Sequence, residues 1–560
     1  MLAYSILCVL CVSAVNKTML TSIFIGAILL FLAAYFLYGR FLERHLGVDN
    51  KRPTPSHTEY DGVDWVPAHP LVLFGHHFSA IAGAGPIVGP IIASLAFGWL
   101  PTLLWVLIGA VFIGGVQDFS VLVASIRHGG RSLAQIARDS MTPLAFRLLL
   151  VFTWLALVYV LTVFTDLTAT TFVEDGGVAT SSAAFIALAL AFGFFVYRLK
   201  VNVWISSLVF VPLVFLFIWV GQLAPITPDF FRGLLVDPKK AWCVVLIIYC
   251  FAASVAPVWV LLQPRDYLSS YLLYASVLGG FLGIIFGGFT IEYPAFTTFY
   301  NQQLGPLAPI LFITIACGAC SGFHSLVASG TTAKQIDKEN DARKIGYGGM
   351  LVEGVVAVMA LLVVAMLPLN DEMAKKAPLA IYGGGIAKFL NVFGVPLKIG
   401  FAFGLLAIST FVFTTLDAAT RLGRYIFEEF FNIHGVCSRY FSTLATLVLP
   451  LVFVLINLRD VHGNPAPAWQ AIWPVFGATN QLLAGLALLV IMTWLKRNGK
   501  KTLFVFLPML FMVVVTVWAL CLLIAQHEFS LIGIIASLLL LMACLLIVES
   551  VRVLLKLRAS

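Results

Sequence analysis

Residues 75 to 90 read Gly75-His-His-Phe-Ser-Ala-Ile-Ala-Gly-Ala-Gly-Pro-Ile-Val-Gly-Pro90, inside a hydrophobic run long enough to cross a membrane. A lipid anchor fills such a run with Leu, Val and Ile. This one carries two imidazoles, a hydroxyl, four glycines and two prolines. Pro86 and Pro90 each remove a backbone donor, and Gly83 and Gly85 weaken the helix just before them. Backbone freed at mid-membrane depth is tolerated only where it is buried in protein or lines a wet cavity. Transporters use such broken helices to hold a solute or ion at the bilayer midplane, so solute transport is the leading reading.

The rest of the chain agrees with a membrane setting. It has 560 residues, of which 61% are hydrophobic and 11% charged, with a mean hydropathy of +1.00. Soluble domains carry about 25% charged residues. The net charge of +8 is no sign of nucleic-acid binding here, because Lys and Arg in a polytopic protein serve orientation and headgroup contact. The nine cysteines form no loop framework, and structural disulfides are not expected. Cys317-Gly-Ala-Cys320 reads as small residues for close helix packing rather than a metal or redox motif.

Apolar runs of roughly 17–25 residues predict fifteen spans. They lie near 20–38, 70–97, 101–126, 144–165, 182–197, 203–222, 241–262, 268–289, 308–330, 347–368, 397–416, 440–457, 471–494, 503–524 and 530–551. The apolar stretch before Met19 stays unassigned. With that count, 25 of the 34 Lys and Arg fall on one set of alternate loops, which places those loops and the C-terminus in the cytoplasm. A second interruption, Ser254-Val-Ala-Pro257, lies five spans after the first. An odd separation means opposite directions of crossing, as an inverted repeat of five plus five helices requires. The expected fold is therefore an all-α polytopic membrane protein with a leucine-transporter-like core. Its predicted parts are 1–69 (prefix helix and loop), 70–222 and 223–416 (the two halves) and 417–560 (accessory helices).

Ionisable groups inside the hydrocarbon cost a few kcal/mol each and are functional candidates by default. His76 and His77 precede the break, and imidazole, as the side chain whose ordinary pKa lies closest to neutrality, suits proton coupling. Asp118 lies nine residues before Arg127, about 13 Å deep in a helix, and His76 or His77 is its expected partner. His324 follows, with Ser321, Ser325 and Ser329 spaced as one hydroxyl stripe, in which Ser325 and Ser329 form a possible cation site. Glu353 and Asp417 are expected to pair with Arg or Lys, and Asn480 and Gln481 to bond between helices. No P-loop, H-E-x-x-H or nucleophile elbow is present, so neither an enzyme nor an ATP-driven pump is expected, and no cofactor or metal is called for.

Several of these motifs together resemble the carbon-starvation protein A family. They are Asp61-Gly-Val-Asp64, Gly75 to Pro90, Gly130-Arg-Ser-Leu-Ala-Gln-Ile-Ala-Arg138, His324-Ser-Leu-Val-Ala-Ser-Gly-Thr-Thr-Ala-Lys-Gln-Ile336, Thr415-Leu-Asp-Ala-Ala-Thr-Arg421 and Trp473-Pro-Val-Phe-Gly-Ala-Thr-Asn-Gln481. The likeness runs from about Met19 to beyond residue 500. It implies a bacterial inner-membrane secondary transporter taking up peptides or pyruvate, with proton coupling in the pyruvate members. Where members carry a His before the Asp, this chain has Gln117-Asp118. On this reading Ser79, Gly83, Ala84, Gly85, Ser254, Ala256, His324 and Ser325 bind the carboxylate of the solute, while His76, His77 and Asp118 couple protons. Sodium coupling, or a non-accumulating channel or sensor, is the alternative.

Overall fold

Helices account for nearly all of the chain. The computed structural model describes residues 20–560 apart from 63, 228–230, 232–236, 258–259, 434, 460–463 and 560. The leading segment, 1–18, lies outside the described residues. The elements are α1 (Leu20–Leu46), α2 (Pro70–Ile81), α3 (Gly85–Phe97), α4 (Trp99–Arg127), the short α5 (Leu133–Ser140), α6 (Pro143–Glu174), α7 (Gly176–Arg198) and α8 (Val203–Leu223). They continue with α9 (Pro238–Val255), α10 (Leu262–Phe286), α11 (Leu307–Thr314), α12 (Gly322–Gly330), α13 (Arg343–Ala365), α14 (Pro378–Asn391), α15 (Leu397–Phe431), α16 (Val436–Leu455), α17 (Ala468–Arg497), α18 (Leu503–His527) and α19 (Leu531–Ala559).

Among the described residues, 13 helices are long and apolar enough to cross a membrane, and α2 with α3 forms a further crossing bent by 47°. The described helices give 13 crossings, or 14 with that bent pair, where the sequence reading expects fifteen; the run expected near 308–330 holds only the short helices α11 and α12. The protein is thus an all-α, multi-pass membrane protein. Large apolar side chains such as Leu208 and Trp204 on α8 and Leu37 on α1 lie open on the rim, where lipid replaces water. The hydrophobic window of α17 is 100% buried, against 28% for α1 and α8, so α17 belongs to the core and those two to the periphery.

The break between α2 and α3 forms as the sequence dictates. Ile81 ends α2, the Gly83 N–H bonds back to the Ile81 carbonyl at 2.8 Å, and Gly85-Pro86 opens α3 with proline in the first turn, where its missing N–H has no partner to lose. The second break is not where the sequence reading placed it. Helix α9 runs unbroken to Val255, and Ser254 to Pro257 lie at its end, where the carbonyls of Ala253, Ser254 and Ala256 accept from Arg421 and Arg424 of α15. Pro257 therefore closes a helix rather than interrupting one. The interruption lies at 315–321, inside Thr314-Ile-Ala-Cys-Gly-Ala-Cys-Ser321, a run with no proline.

The two broken crossings run in opposite directions. The start of α2 lies beside the chain that follows α12, where Ala68 bridges Ile336. The end of α3 meets the loop that leads into α11, through Thr297 N–H to the Phe97 carbonyl at 3.2 Å. Their middles press together. A Cβ on Gly85 would stand 2.5 Å from Cys317 Cβ, and one on Gly89 would stand 2.5 Å from the Thr314 carbonyl oxygen, so both positions require glycine. Loops 47–69, 128–132 and 331–342 share one end of the bundle, here the basic face.

Candidate functional site

Three helices bring three titratable side chains to one point beside the crossing breaks. Asp118 comes from α4, His324 from α12 and Glu353 from α13, and all three are fully buried. His324 Nδ1 lies 2.8 Å from Asp118 Oδ2, within hydrogen-bonding distance. His324 Nε2 lies 3.0 Å from Glu353 Oε2 in an ion-pair contact. Asp118 Oδ1, both Glu353 oxygens and His324 Nε2 have no hydrogen-bond partner among the described residues, so the His324–Glu353 approach is a contact without hydrogen-bond geometry. Asp118 lies four residues, about one turn, beyond a π-helical turn at Ala110–Gly114, a local widening that often marks functional helices. Tyr347 donates to the Val111 carbonyl in that turn at 3.3 Å, which ties α4 to the start of α13.

The expected partners of Asp118 are therefore replaced. His77 is buried on α2, but its Nδ1 pairs with Thr332 Oγ1 at 2.9 Å and its ring packs on Gly349, one turn of α13 before Glu353. His76 is only half-buried and takes no part in the triad. Glu353 pairs with a histidine rather than with Arg or Lys. Sequence reasoning had no signal for this, since Asp118 and His324 lie 206 residues apart and the pairing of His324 with Glu353 depends on how α12 and α13 pack.

Around the triad, polar side chains hold the second break in shape. Gln117 Nε2 donates to the Ser321 carbonyl and to Ser325 Oγ, both at 2.6 Å. Helix α17 clasps the break from the far side. Asn480 Oδ1 accepts the Phe323 N–H at 2.9 Å in the first turn of α12, while Gln481 and Trp473 donate to the carbonyls of Phe312 and Thr314 at the end of α11. Both helix ends would otherwise bury orphan backbone groups. Asn480 and Gln481 are thus interhelical ties, as expected.

The remaining sequence-selected residues separate into two groups. Ser79, Gly83, Ala84 and Gly85 line the first break, and all four are buried. Ser79 Oγ has no hydrogen-bond partner among the described residues, nor has Thr165 Oγ1 on α6, next to Phe164. A Cβ on Gly83 would meet Phe164 of α6 and Thr415 Oγ1 of α15, so those two side chains pack against the first break. Ser254 and Ala256 lie apart, at the end of α9, with their carbonyls taken by arginines. The hydroxyls once read as a cation site are engaged, Ser325 by Gln117 and Ser329 by its own helix and the Leu133 N–H.

Two further buried ion pairs stand at opposite ends of the bundle. Near the basic face, Arg265 of α10, with no exposed surface, pairs with Asp417 of α15 at 2.5 Å and with Asp266 at 3.1 Å, and it donates to Tyr249 of α9. Near the other face, Asp166 of α6 accepts from Lys239 of α9 at 2.9 Å and from the Trp469 N–H, in the first turn of α17, at 3.0 Å. Arg265 is thus wholly buried between two carboxylates.

The family model for carbon starvation protein CstA matches residues 19–384 and 369–519. Peptide transporter CstA of Escherichia coli (strain K12) is 33% identical over 84% of this chain and 76% of its own length. Pyruvate/proton symporter BtsT of the same organism is 31% identical over 89% of this chain and 81% of its own length. Among solved structures, MhsT in complex with L-phenylalanine is similar at 14% identity and a TM-score of 0.46, over 88% of this chain and 99% of that one. The chain belongs to the carbon starvation protein CstA family.

Proposed function

We propose that this protein is a proton-coupled importer of pyruvate or short peptides in a bacterial inner membrane, with its basic face and C-terminus in the cytoplasm. The observation that carries the coupling is the His324 imidazole held between Asp118 and Glu353. Two carboxylates and one imidazolium leave a net negative charge in a site without exposed surface. Burying net charge is expensive in protein and more so at membrane depth. One added proton removes it, so the triad is built to hold or release a single proton as the helices move. His77 of α2, packed on Gly349 one turn of α13 nearer the basic face, extends the path to that side.

The solute site we infer is the first break. Its unpartnered Ser79 and Thr165 hydroxyls, with Thr415 and the opening turn of α3, suit a carboxylate, which pyruvate and peptides share. The related CstA proteins carry the name peptide transporter and BtsT that of a pyruvate/proton symporter, which supports both solutes.

Alternating access follows from an inverted repeat in a register shifted from the one read in the sequence. We assign the first half to 70–286 and the second to 307–497, each opening with a broken crossing, with α7 and α8 as an inserted hairpin. On this register α6 corresponds to α15 and α10 to α17. Asp417 of one long helix then holds the first turn of α10, and Asp166 of the other holds the first turn of α17, at opposite faces. Opening one lock while the other stays shut would expose the breaks to one side at a time.

Uptake of labelled pyruvate and of a labelled dipeptide into proteoliposomes tests this reading, with an imposed pH gradient and no sodium. Accumulation of either that collapses with a protonophore is the expected result. Accumulation only when sodium is supplied would overturn the proton assignment, and flux without accumulation would overturn symport.

A further inference from the structure

A cavity of about 810 Å³ opens on the basic face, between the loop 52–59, the ends of α4 and α17 and the loop that carries Glu339. Its volume falls within the range of about 300–1,000 Å³ usual for small-molecule pockets. Four strong cations line it, Arg52, Arg127, Arg497 and Lys500.

Their partners divide them. Arg127 is satisfied, with Glu339 at 2.8 Å and the carbonyls of Leu46 and Gly47 at 2.9 and 2.8 Å. Arg52 lies 3.9 Å from the same Glu339, with its side chain half open to solvent. Arg497 and Lys500 bond only backbone oxygens among the described residues, those of Asp139 and Leu46. The acids on the wall do not cancel them, since Glu339 is shared by two arginines and Asp139 pairs with Arg131 at 3.3 Å, leaving Glu59. Burial first, and then the neighbouring Arg127 and Arg52, push the Lys500 ammonium below the usual lysine range, the mark of cations crowded without enough counter-charge. His128 also lines the cavity, and its Nδ1 bonds to the Ala124 carbonyl at 2.7 Å, so Nε2 is the ring nitrogen left for a ligand.

We propose that this cavity binds a phosphate-bearing anion, held by Arg52, Arg497 and Lys500. The chemistry fits two sources, the headgroup of an anionic phospholipid or a free phosphate compound, because the site lies at the ends of membrane helices, where headgroups sit. Occupancy would tie the loop that carries Arg52 to the end of α17, the helix that carries Asn480 at the central site.

The test is thermal unfolding of the full-length protein in nanodiscs of phosphatidylcholine alone, with added inorganic pyrophosphate, or with phosphatidylglycerol mixed into the disc. A saturable rise in unfolding midpoint with phosphatidylglycerol only assigns the lipid source, and one with pyrophosphate in phosphatidylcholine discs assigns the soluble source. Either rise should be lost in R497Q/K500Q and kept in K398Q, a cation outside the cavity. R497Q alone, at an exposed side chain, should weaken the rise and guards against a misfolded double variant. No rise with either anion, or an equal rise in R497Q and R497Q/K500Q, overturns the proposal.

Discussion

Arg265 and Asp417 meet at 2.5 Å with neither side chain exposed, although they lie on different helices and 152 positions apart (417 less 265). A buried pair of this kind is poor evidence of net stability, because the lost hydration of both charges offsets their attraction. Removing one partner is another matter. D417N leaves a guanidinium without its main counter-charge and should destabilise the protein by about 3–5 kcal/mol, while R265M/D417L should recover most of that loss. Chemical denaturation of the detergent-solubilised protein measures both. If the pair is a lock, R265M/D417L should still unfold normally yet accumulate solute poorly.

The clasp of α17 on the second break gives a smaller effect. N480A removes the acceptor for the Phe323 N–H and the donor to Ser321 Oγ at 3.0 Å. Loss of such a cap costs roughly 1–2 kcal/mol. Unfolding midpoints should fall for N480A by that amount, and uptake should fall with them, since α12 carries His324. An unchanged midpoint would mean that water replaces the amide without loss.

Glycine at the crossing can be tested against glycine at the rim. In G89A the new Cβ would stand 2.5 Å from the Thr314 carbonyl oxygen, a backbone atom that cannot swing aside. In G26A it would meet nothing within 4 Å. Expression and size-exclusion profiles should collapse for G89A and stay normal or improve for G26A, where alanine favours the helix by about 1 kcal/mol.

Much of this architecture is legible in the sequence. The first break announces itself through Gly83, Gly85 and Pro86, and the apolar runs announce the multi-pass membrane fold, though with one or two crossings more than the described helices give. The second break was hidden because helix breaking was sought in proline. Pro257 is the more conspicuous signal, but it closes α9. The true interruption, Cys317-Gly-Ala-Cys-Ser321, looks like a seam of small residues, and it is also that, since a Cβ on Gly318 would press on Ala357. What unwinds it is tertiary, namely the three polar side chains of α17 that take up its backbone groups. The triad was half legible. Asp118 and His324 stand out as ionisable residues in apolar helices, but their pairing depends on which helices cross, and Glu353 was assigned a basic partner because nothing local distinguishes one counter-ion from another.

The most direct test of the coupling is uptake by D118N and E353Q in proteoliposomes, each read in two modes. Both variants remove a charge while preserving shape and place an amide where a proton would sit. Accumulation driven by a pH gradient should be lost, while exchange of internal for external labelled solute, which needs no net proton movement, should persist. Accumulation at the unaltered level in both variants would contradict the assignment of proton coupling to Asp118, His324 and Glu353.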